Sequence, residues 1–187
     1  MATSFSEEER EKIFKDLYEK GYLLLEERGM KQLTIKDLAE SVGIGTGTFY
    51  NFFQNKEDFI IQLIRKRKEE SMHKFEALSL KYQEGIPFEA CKKYFLENLK
   101  ENNIYRLLRQ DEYDDLIKKM PPEDHSLEMG KYILSKLKTK KKLEDFYLFS
   151  EAYKIIVIGS SDISKLNEQY LDQSLEQLVH AACSFLY

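Results

Sequence analysis

Apolar residues recur every three or four positions along most of this chain, which is the spacing of one face of an α-helix. Turn-forming residues interrupt the pattern at Gly29, Gly43, Gly85 and Met120-Pro121-Pro122. Only 3 prolines and 8 glycines occur among the 187 residues, which also favours helices. The pattern therefore predicts an all-α fold with helices at about 7–28, 35–41, 46–52, 56–82, 87–101, 104–108, 112–119, 123–137, 143–159 and 165–186.

Residues 34–56 carry the most informative pattern, which predicts two short helices joined by a tight turn. Thr34 is a good N-cap, and Asp37 follows three positions later, as in a capping box. Gly43 suits a turn in which φ is positive. The second helix begins with small and hydroxylic residues and ends with aromatic ones, so its start can approach DNA closely. These features are typical of a helix-turn-helix.

The same segment resembles the DNA-binding region of the TetR (tetracycline-repressor) family through the spaced pattern Leu33-Thr34-x-x-x-Leu38-Ala39-x-x-x-Gly43-Ile44-x-x-Gly47-Thr48-Phe49-Tyr50-x-x-Phe53-x-x-Lys56-Glu57. The resemblance covers roughly residues 8–65. It implies an N-terminal three-helix DNA-binding domain over residues 1–54 and a larger helical ligand-binding and dimerisation domain over residues 55–187. It also implies a homodimeric transcription regulator, most often a repressor, whose affinity for a double-stranded DNA operator changes when a small molecule binds.

Two groups of residues are candidates for DNA contact. Contact with DNA phosphates is expected of Thr34, Lys36, Tyr50 and Lys56. Tyr50 is included because the resemblance implies it: the matching tyrosine of the family contacts phosphate. Base readout is expected at the start and the far end of the second short helix: Gly45, Thr46, Gly47, Thr48 and Asn51. The alternatives are a plain N-cap for Thr34 and a merely solvated ammonium for Lys56.

Aromatic residues of the remaining helices predict a pocket for an effector. Apolar walls with a few polar groups are typical of ligand sites, and buried tyrosine hydroxyls need partners. Lysine and arginine are absent from these positions, so a small apolar effector, neutral or cationic, is expected. The alternative is that these side chains simply form a core. The candidate residues are Tyr82, Phe88, Cys91, Phe95, Tyr105, Leu108, Tyr113, Tyr132, Phe149 and Tyr153.

The last two predicted helices have apolar residues on more than one face, including Ile156 and Val157 on one and Leu171 to Phe185 on the other. One chain cannot readily cover all of this surface. A four-helix bundle formed with a second copy across a two-fold axis would cover it.

The net charge of −4 excludes DNA binding that rests on overall positive charge, so any DNA contact is local. A helical interaction protein without DNA binding is the second reading, and an enzyme is the third. No cofactor or metal site is expected, because His73, His125 and His180 lie far apart without ligand-spaced partners. The polar N-terminus and the short apolar runs predict a cytoplasmic protein without a membrane span. Cys91 and Cys183 are expected as buried thiols, with a redox sensor as the alternative.

Overall fold

The computed structural model of the chain describes residues 5–101, 104–119, 126–160 and 167–187. Helices make up the regular structure of these ranges, in which no strand occurs, and the all-α prediction is confirmed. Short 3₁₀ turns occupy Ile104–Leu107 and Ser184–Leu186. The α-helices are α1 Glu7–Gln32, α2 Ile35–Ser41, α3 Thr46–Phe49, α4 Lys56–Leu80, α5 Phe88–Glu101, α6 Gln110–Lys119, α7 Ser126–Lys136, α8 Leu143–Gly159 and α9 Glu168–Cys183.

The chain divides into two compact units, one ending at Lys66 and the other beginning at Arg67. The first unit contains α1 to α3 and the first part of α4. The second contains the rest of α4 and the elements that follow. The domain boundary expected between residues 54 and 55 stays a prediction.

A cluster of aromatic rings forms the core of the N-terminal unit. Phe49, Phe53 and Phe59 are at most 1% exposed, and the Phe53 ring centroid lies 5.1 Å from that of Phe59. A Cβ on Gly21 of α1 would lie 2.4 Å from Cζ of Phe59, so glycine allows this close approach. Phe14 of α1 is 38% exposed, and its ring stacks on that of Phe53. It covers the edge of the cluster because Phe53 fills the interior.

The helix predicted to end at residue 28 does break there, but one further helical turn follows the break. Gly29 adopts φ 70° and ψ 163°, which kinks the chain, but helical hydrogen bonding resumes and continues to Gln32. The extra turn buries Met30 and brings Leu33 into the core. Gly29 therefore redirects α1, and the helix stops only before Leu33.

The core of the C-terminal unit lies among α4, α5, α7, α8 and α9. Its buried residues include Phe75, Phe95, Phe149, Cys91 and Cys183. The predicted helix 143–159 agrees with the bounds of α8, whereas the long helix predicted over 56–82 ends at Leu80. In the described ranges no helix is long and apolar enough to cross a bilayer.

An isolated parallel β-bridge joins Ile86, before α5, to Leu137, after α7, where the sequence predicted the last residue of a helix. Ile86 donates its N–H to Lys136 O at 2.8 Å and accepts from Lys138 N at 3.0 Å. Gly85 precedes the bridge with φ +94°, and a Cβ there would lie 2.7 Å from Lys138 N. Glycine is therefore required both by the backbone conformation and by the close approach.

Candidate nucleic-acid interface

A reciprocal capping box fixes the start of α2. Asp37 N donates to Thr34 Oγ1 at 3.1 Å, and Thr34 N donates to Asp37 Oδ2 at 2.9 Å. The Thr34 hydroxyl donates to the same carboxylate oxygen at 2.6 Å. Arg28 adds an ion pair at 2.8 Å to the other oxygen, Oδ1. The hydrogen bonds from Thr34 hold the pKa of Asp37 below its usual value, so this carboxylate is charged at neutral pH.

The hydroxyl of Thr34, which was expected to contact a phosphate, already donates its hydrogen bond within the protein. Its hydroxyl proton is committed to Asp37, so the side chain acts here as the N-cap. The donors that remain at the helix start are backbone N–H groups of the first turn, such as those of Ile35 and Lys36. The partial positive charge of a helix N-terminus favours an anion at this point.

The turn between α2 and α3 follows the predicted glycine chemistry. Gly43 has φ +74°, and Ile44 N donates to Ala39 O at 3.0 Å. This bond closes the chain back on α2, so α3 begins two residues later with Gly45 as its N-cap.

The start of α3 is an open surface with little side-chain bulk. Gly45, Thr46 and Gly47 are exposed, and Thr48 is half-buried. Nothing lies within 4 Å of where a Cβ would sit on Gly45 or Gly47. Another molecule can therefore approach the backbone closely at this edge.

The prediction that the third helix spans residues 46–52 is wrong, since the α-helix ends at Phe49. Turns follow it, with Asn51 N bonded to Thr48 O and Phe52 N bonded to Phe49 O. Two glycines flanking a single threonine lower helix propensity, and the shorter i to i+3 bonds bring Phe53 into the aromatic core. Phe49 is fully buried and Tyr50 is 56% exposed, which is the alternation expected from the sequence.

Lys56 makes contacts that the sequence did not reveal. Its ammonium donates to Met30 O at 2.8 Å and to Leu33 O at 2.9 Å, the carbonyls at the end of α1. Lysine has three N–H donors, so two are used inside the protein. Its partners lie 23 and 26 residues away, and no local spacing signals such a contact. By contrast, the Lys36 side chain is 74% exposed and only 3.7 Å from Glu40.

Comparison with known proteins places this N-terminal geometry in a family. Residues 17–63 match the family model described as bacterial regulatory proteins, tetR family. This segment is thus similar to the N-terminal domain of tetR-family regulators. This confirms the family resemblance recognised in the sequence.

Two curated relatives each match about a third of the chain or less. One is the uncharacterized HTH-type transcriptional regulator YwcC of Bacillus subtilis, 32% identical over 59 residues, which are 32% of this chain and 26% of the relative. The other is the HTH-type transcriptional repressor KstR2 of Mycobacterium tuberculosis, 34% identical over 50 residues, which are 27% and 25% of the two chains. The matched segment thus spans about a quarter of the length of these relatives.

A solved structure resembles nearly the whole chain. It is the transcriptional regulator FadR from Bacillus subtilis in complex with stearoyl-CoA, with a TM-score of 0.57 and 17% identity. The match covers 90% of this chain and 98% of that one. At this identity the likeness establishes a shared fold, with an N-terminal helix-turn-helix followed by a helical domain.

The residues expected to line an effector pocket occupy several places in the C-terminal unit. Phe95, Phe149 and Tyr153 contact one another, with the Phe95 ring centroid 4.6 Å from that of Phe149. Tyr153 donates its hydroxyl to Phe95 O at 2.8 Å. Burial raises the pKa of Tyr153, so its hydroxyl stays neutral. These three residues form one aromatic cluster, hereafter the α5–α8 aromatic cluster.

The other expected pocket residues lie apart from this cluster. Tyr82 lines a groove of about 750 Å³ between α4 and α5. Phe88 packs against His180 and Tyr187, and Tyr132 lies 6.4 Å from Phe75, centroid to centroid. Cys91 and Leu108 are buried. The side chains of Tyr105 and Tyr113 lie outside the described residues.

Proposed function

We propose that this protein is a ligand-responsive transcriptional repressor that binds an inverted-repeat operator as a homodimer. The observation that supports this most is the start of α3, which is exposed and carries only small side chains. Such a surface lets the backbone approach base edges in a DNA groove closely. The start of α3 follows α2, whose N-terminus is fixed by a capping box. The tetR-family match over residues 17–63 supports the same function.

Phosphates and bases are contacted by different residues in this proposal. The phenol of Tyr50, the ammonium of Lys36 and the free N–H groups at the start of α2 bind backbone phosphates. Thr46 and Thr48 meet base edges, together with the backbone at Gly45 and Gly47. Asn51 offers an exposed amide suited to adenine. The chain has a net charge of −4, so these local contacts carry the affinity.

Exposed apolar side chains on α8 and α9 support the homodimer. Leu148, Ile155, Tyr170 and Leu178 are each between 51% and 71% exposed. An apolar groove of about 350 Å³ lies between the two helices. A second copy that buries these residues across a two-fold axis removes the exposed apolar surface. Two copies then present two α3 helices to successive major grooves.

The effector is proposed to bind in the C-terminal unit at the α5–α8 aromatic cluster. The structurally similar FadR is described in complex with stearoyl-CoA, whose long acyl chain is apolar and whose coenzyme A part is anionic, so it supports an effector with an apolar portion. Such a molecule regulates binding only if it prefers one of two conformations. Effector and operator must then weaken each other's binding by the same factor.

Titration of duplex DNA with salt tests the DNA-binding proposal. Affinity for DNA should fall steeply as the salt concentration rises, because lysines that bind DNA phosphates release the counterions condensed on the DNA. Tyr50→Phe should weaken specific and random duplexes alike, since phosphates carry no sequence information. Thr46→Ala should cost about 1 kcal/mol at particular base positions only. Absence of DNA binding at low salt would leave the helical interaction protein as the better reading.

A tryptophan reporter tests the effector site. The chain contains no tryptophan, so Phe95→Trp and Tyr153→Trp each create a single fluorophore. Candidate ligands that bind at the cluster should change the fluorescence emission of the introduced tryptophan, and operator DNA should raise the Kd of these ligands. A ligand bound equally well with and without operator would contradict coupling between the two sites.

A further inference from the structure

A groove of about 750 Å³ lies between α5 and the part of α4 that belongs to the C-terminal unit. Small side chains on both helices keep this space open, since Ala77 of α4 and Ala90 of α5 line it, and Leu78 and Tyr94 extend its apolar wall. A volume of this size is typical of small-molecule sites. The three residues of the α5–α8 aromatic cluster are not among those that line the groove, so the two places are distinct.

The charged side chains of the groove are distributed unevenly between its two sides. The lining carboxylates, Glu89 and Glu97, both belong to α5, and each is ion-paired with a lysine of the same helix, at 2.8 and 3.6 Å. The α4 side contributes the ammonium groups of Lys74 and Lys81 instead. Lys81 is exposed and directly follows the last residue of α4. An anion in the groove is therefore attracted to the α4 side.

Asn98 of α5 supplies a buried acceptor beside the groove. Its Oδ1 atom is shielded from solvent and receives no hydrogen bond in the described part of the chain. Asn98 as a whole is only half-buried, and it lines the groove. An unpaired acceptor in the interior costs free energy, and rotation of the side chain toward the groove brings this oxygen within reach of a ligand. A hydrogen-bond donor in the groove would thus satisfy Asn98.

We propose that the groove between α4 and α5 binds a linear amphipathic anion, whose acid group lies at Lys81 and whose far end donates a hydrogen bond to Asn98. The connection from Lys81 to the start of α5 is short, so Lys81 lies near that start, whereas Asn98 belongs to the last turn of α5. The lining positions of α5, from Glu89 to Asn98, span roughly 14 Å at about 1.5 Å per residue. The apolar wall between these ends accommodates the body of the chain.

Equilibrium dialysis of the full chain against three probes of equal length tests the proposal. The probes are 10-hydroxydecanoate, decanoate, which lacks the hydroxyl, and 1,10-decanediol, which lacks the acid group. The hydroxy acid should bind several-fold more tightly than either of the others, although a hydroxyl weakens purely apolar binding. No binding of the hydroxy acid at millimolar concentration, or decanoate binding as tightly as the hydroxy acid, would overturn the proposal. The assay contains no DNA, so its outcome is independent of operator binding.

Substitutions at the two ends of the groove show whether the probes bind there. Asn98→Leu should weaken the hydroxy acid several-fold and leave decanoate unchanged, whereas Lys81→Gln should weaken both acids and leave the diol unchanged. Lys131→Gln is the matched control, because Lys131 is an exposed lysine of α7 that is ion-paired with Glu128. It should bind all three probes like the wild type. Affinities that neither Asn98→Leu nor Lys81→Gln changes would place the probes elsewhere and overturn the groove as their site.

Thermal unfolding separates recognition by Asn98 from a purely structural role. Asn98→Leu replaces the unpaired acceptor with an apolar side chain of similar size, so the midpoint temperature without probe should stay the same or rise. Addition of 10-hydroxydecanoate should raise the midpoint of the wild type more than that of the variant. A lower midpoint for the variant without probe would show that the acceptor already stabilises the fold, and it would overturn its assignment to a ligand.

Discussion

At the residue scale, Lys56 shows how one side chain serves a fold while lying within a DNA-binding motif. Its ammonium holds the carbonyls of Met30 and Leu33, so it fixes the last turn of α1 against the start of α4. Helix ends leave carbonyls without intrahelical partners, and a cation is well suited to bind them. Its third N–H remains available to a phosphate.

Replacement of Lys56 with alanine should therefore lower stability as well as DNA affinity. Loss of two charge-assisted hydrogen bonds in a half-buried site should reduce the free energy of unfolding by about 1–3 kcal/mol. Lys36→Ala is the matched control, because its exposed ammonium is only 3.7 Å from Glu40 and should change stability by less than about 0.5 kcal/mol. Urea unfolding of both variants measures the difference. Equal midpoints would refute the structural role of Lys56.

The carboxylate of Asp37 gives a pH-dependent test at the same scale. Its pKa is lowered in the folded protein by Thr34, so its contribution to stability is present above the unfolded pKa of about 4. This contribution disappears as the pH falls through the lower folded value. Asp37→Asn should thus melt below the wild type at pH 7, and the gap should narrow as the pH is lowered toward about 3.

An exposed carboxylate provides the control for this experiment. Glu19 is 64% exposed and 3.9 Å from Lys15, so Glu19→Gln should melt close to the wild type at every pH. A gap between Asp37→Asn and wild type that stayed constant with pH would show that the capping charge is unimportant.

At the element scale, periodicity predicted most helices but failed where glycine or distant contacts decide their ends. The apolar pattern gave the bounds of α2 and α8. It missed the extra turn of α1 after Gly29 and the early end of α3. The Ile86–Leu137 bridge and the Lys56 contacts join residues far apart in sequence, and local spacing carries no signal for them.

Close packing of α1 on α4 gives a test at this scale. Gly21→Ala places a methyl 2.4 Å from Phe59 Cζ and 3.1 Å from Leu38 Cδ2, which should cost about 1–3 kcal/mol. Gly47→Ala is the control, because its methyl meets nothing within 4 Å and alanine favours a helix. The midpoint temperature of thermal unfolding should fall for Gly21→Ala and should stay the same or rise for Gly47→Ala. A stable Gly21→Ala protein would contradict the close approach of these helices.

At the scale of the whole molecule, the apolar residues exposed on α8 and α9 form the proposed dimer interface. Ile155 is 71% exposed, so Ile155→Asp should place a charge in the proposed dimer interface and yield monomers. Leu23→Asp makes the same change at a leucine of α1 that is 61% exposed and should leave the assembly intact. Sedimentation at micromolar concentration distinguishes these outcomes. A monomeric wild type would rule out the homodimer.

Selection of bound duplexes from a random pool tests most directly the claim that this chain reads DNA as a symmetric dimer. The selected sites should share an inverted repeat whose halves are about one helical turn apart, near 10 base pairs. Selection with the Thr46→Ala variant should weaken the preference for particular bases at fixed positions in both half-sites, while the distance between the half-sites stays the same. Recovered duplexes with no common sequence, or with a single unrepeated half-site, would contradict the account.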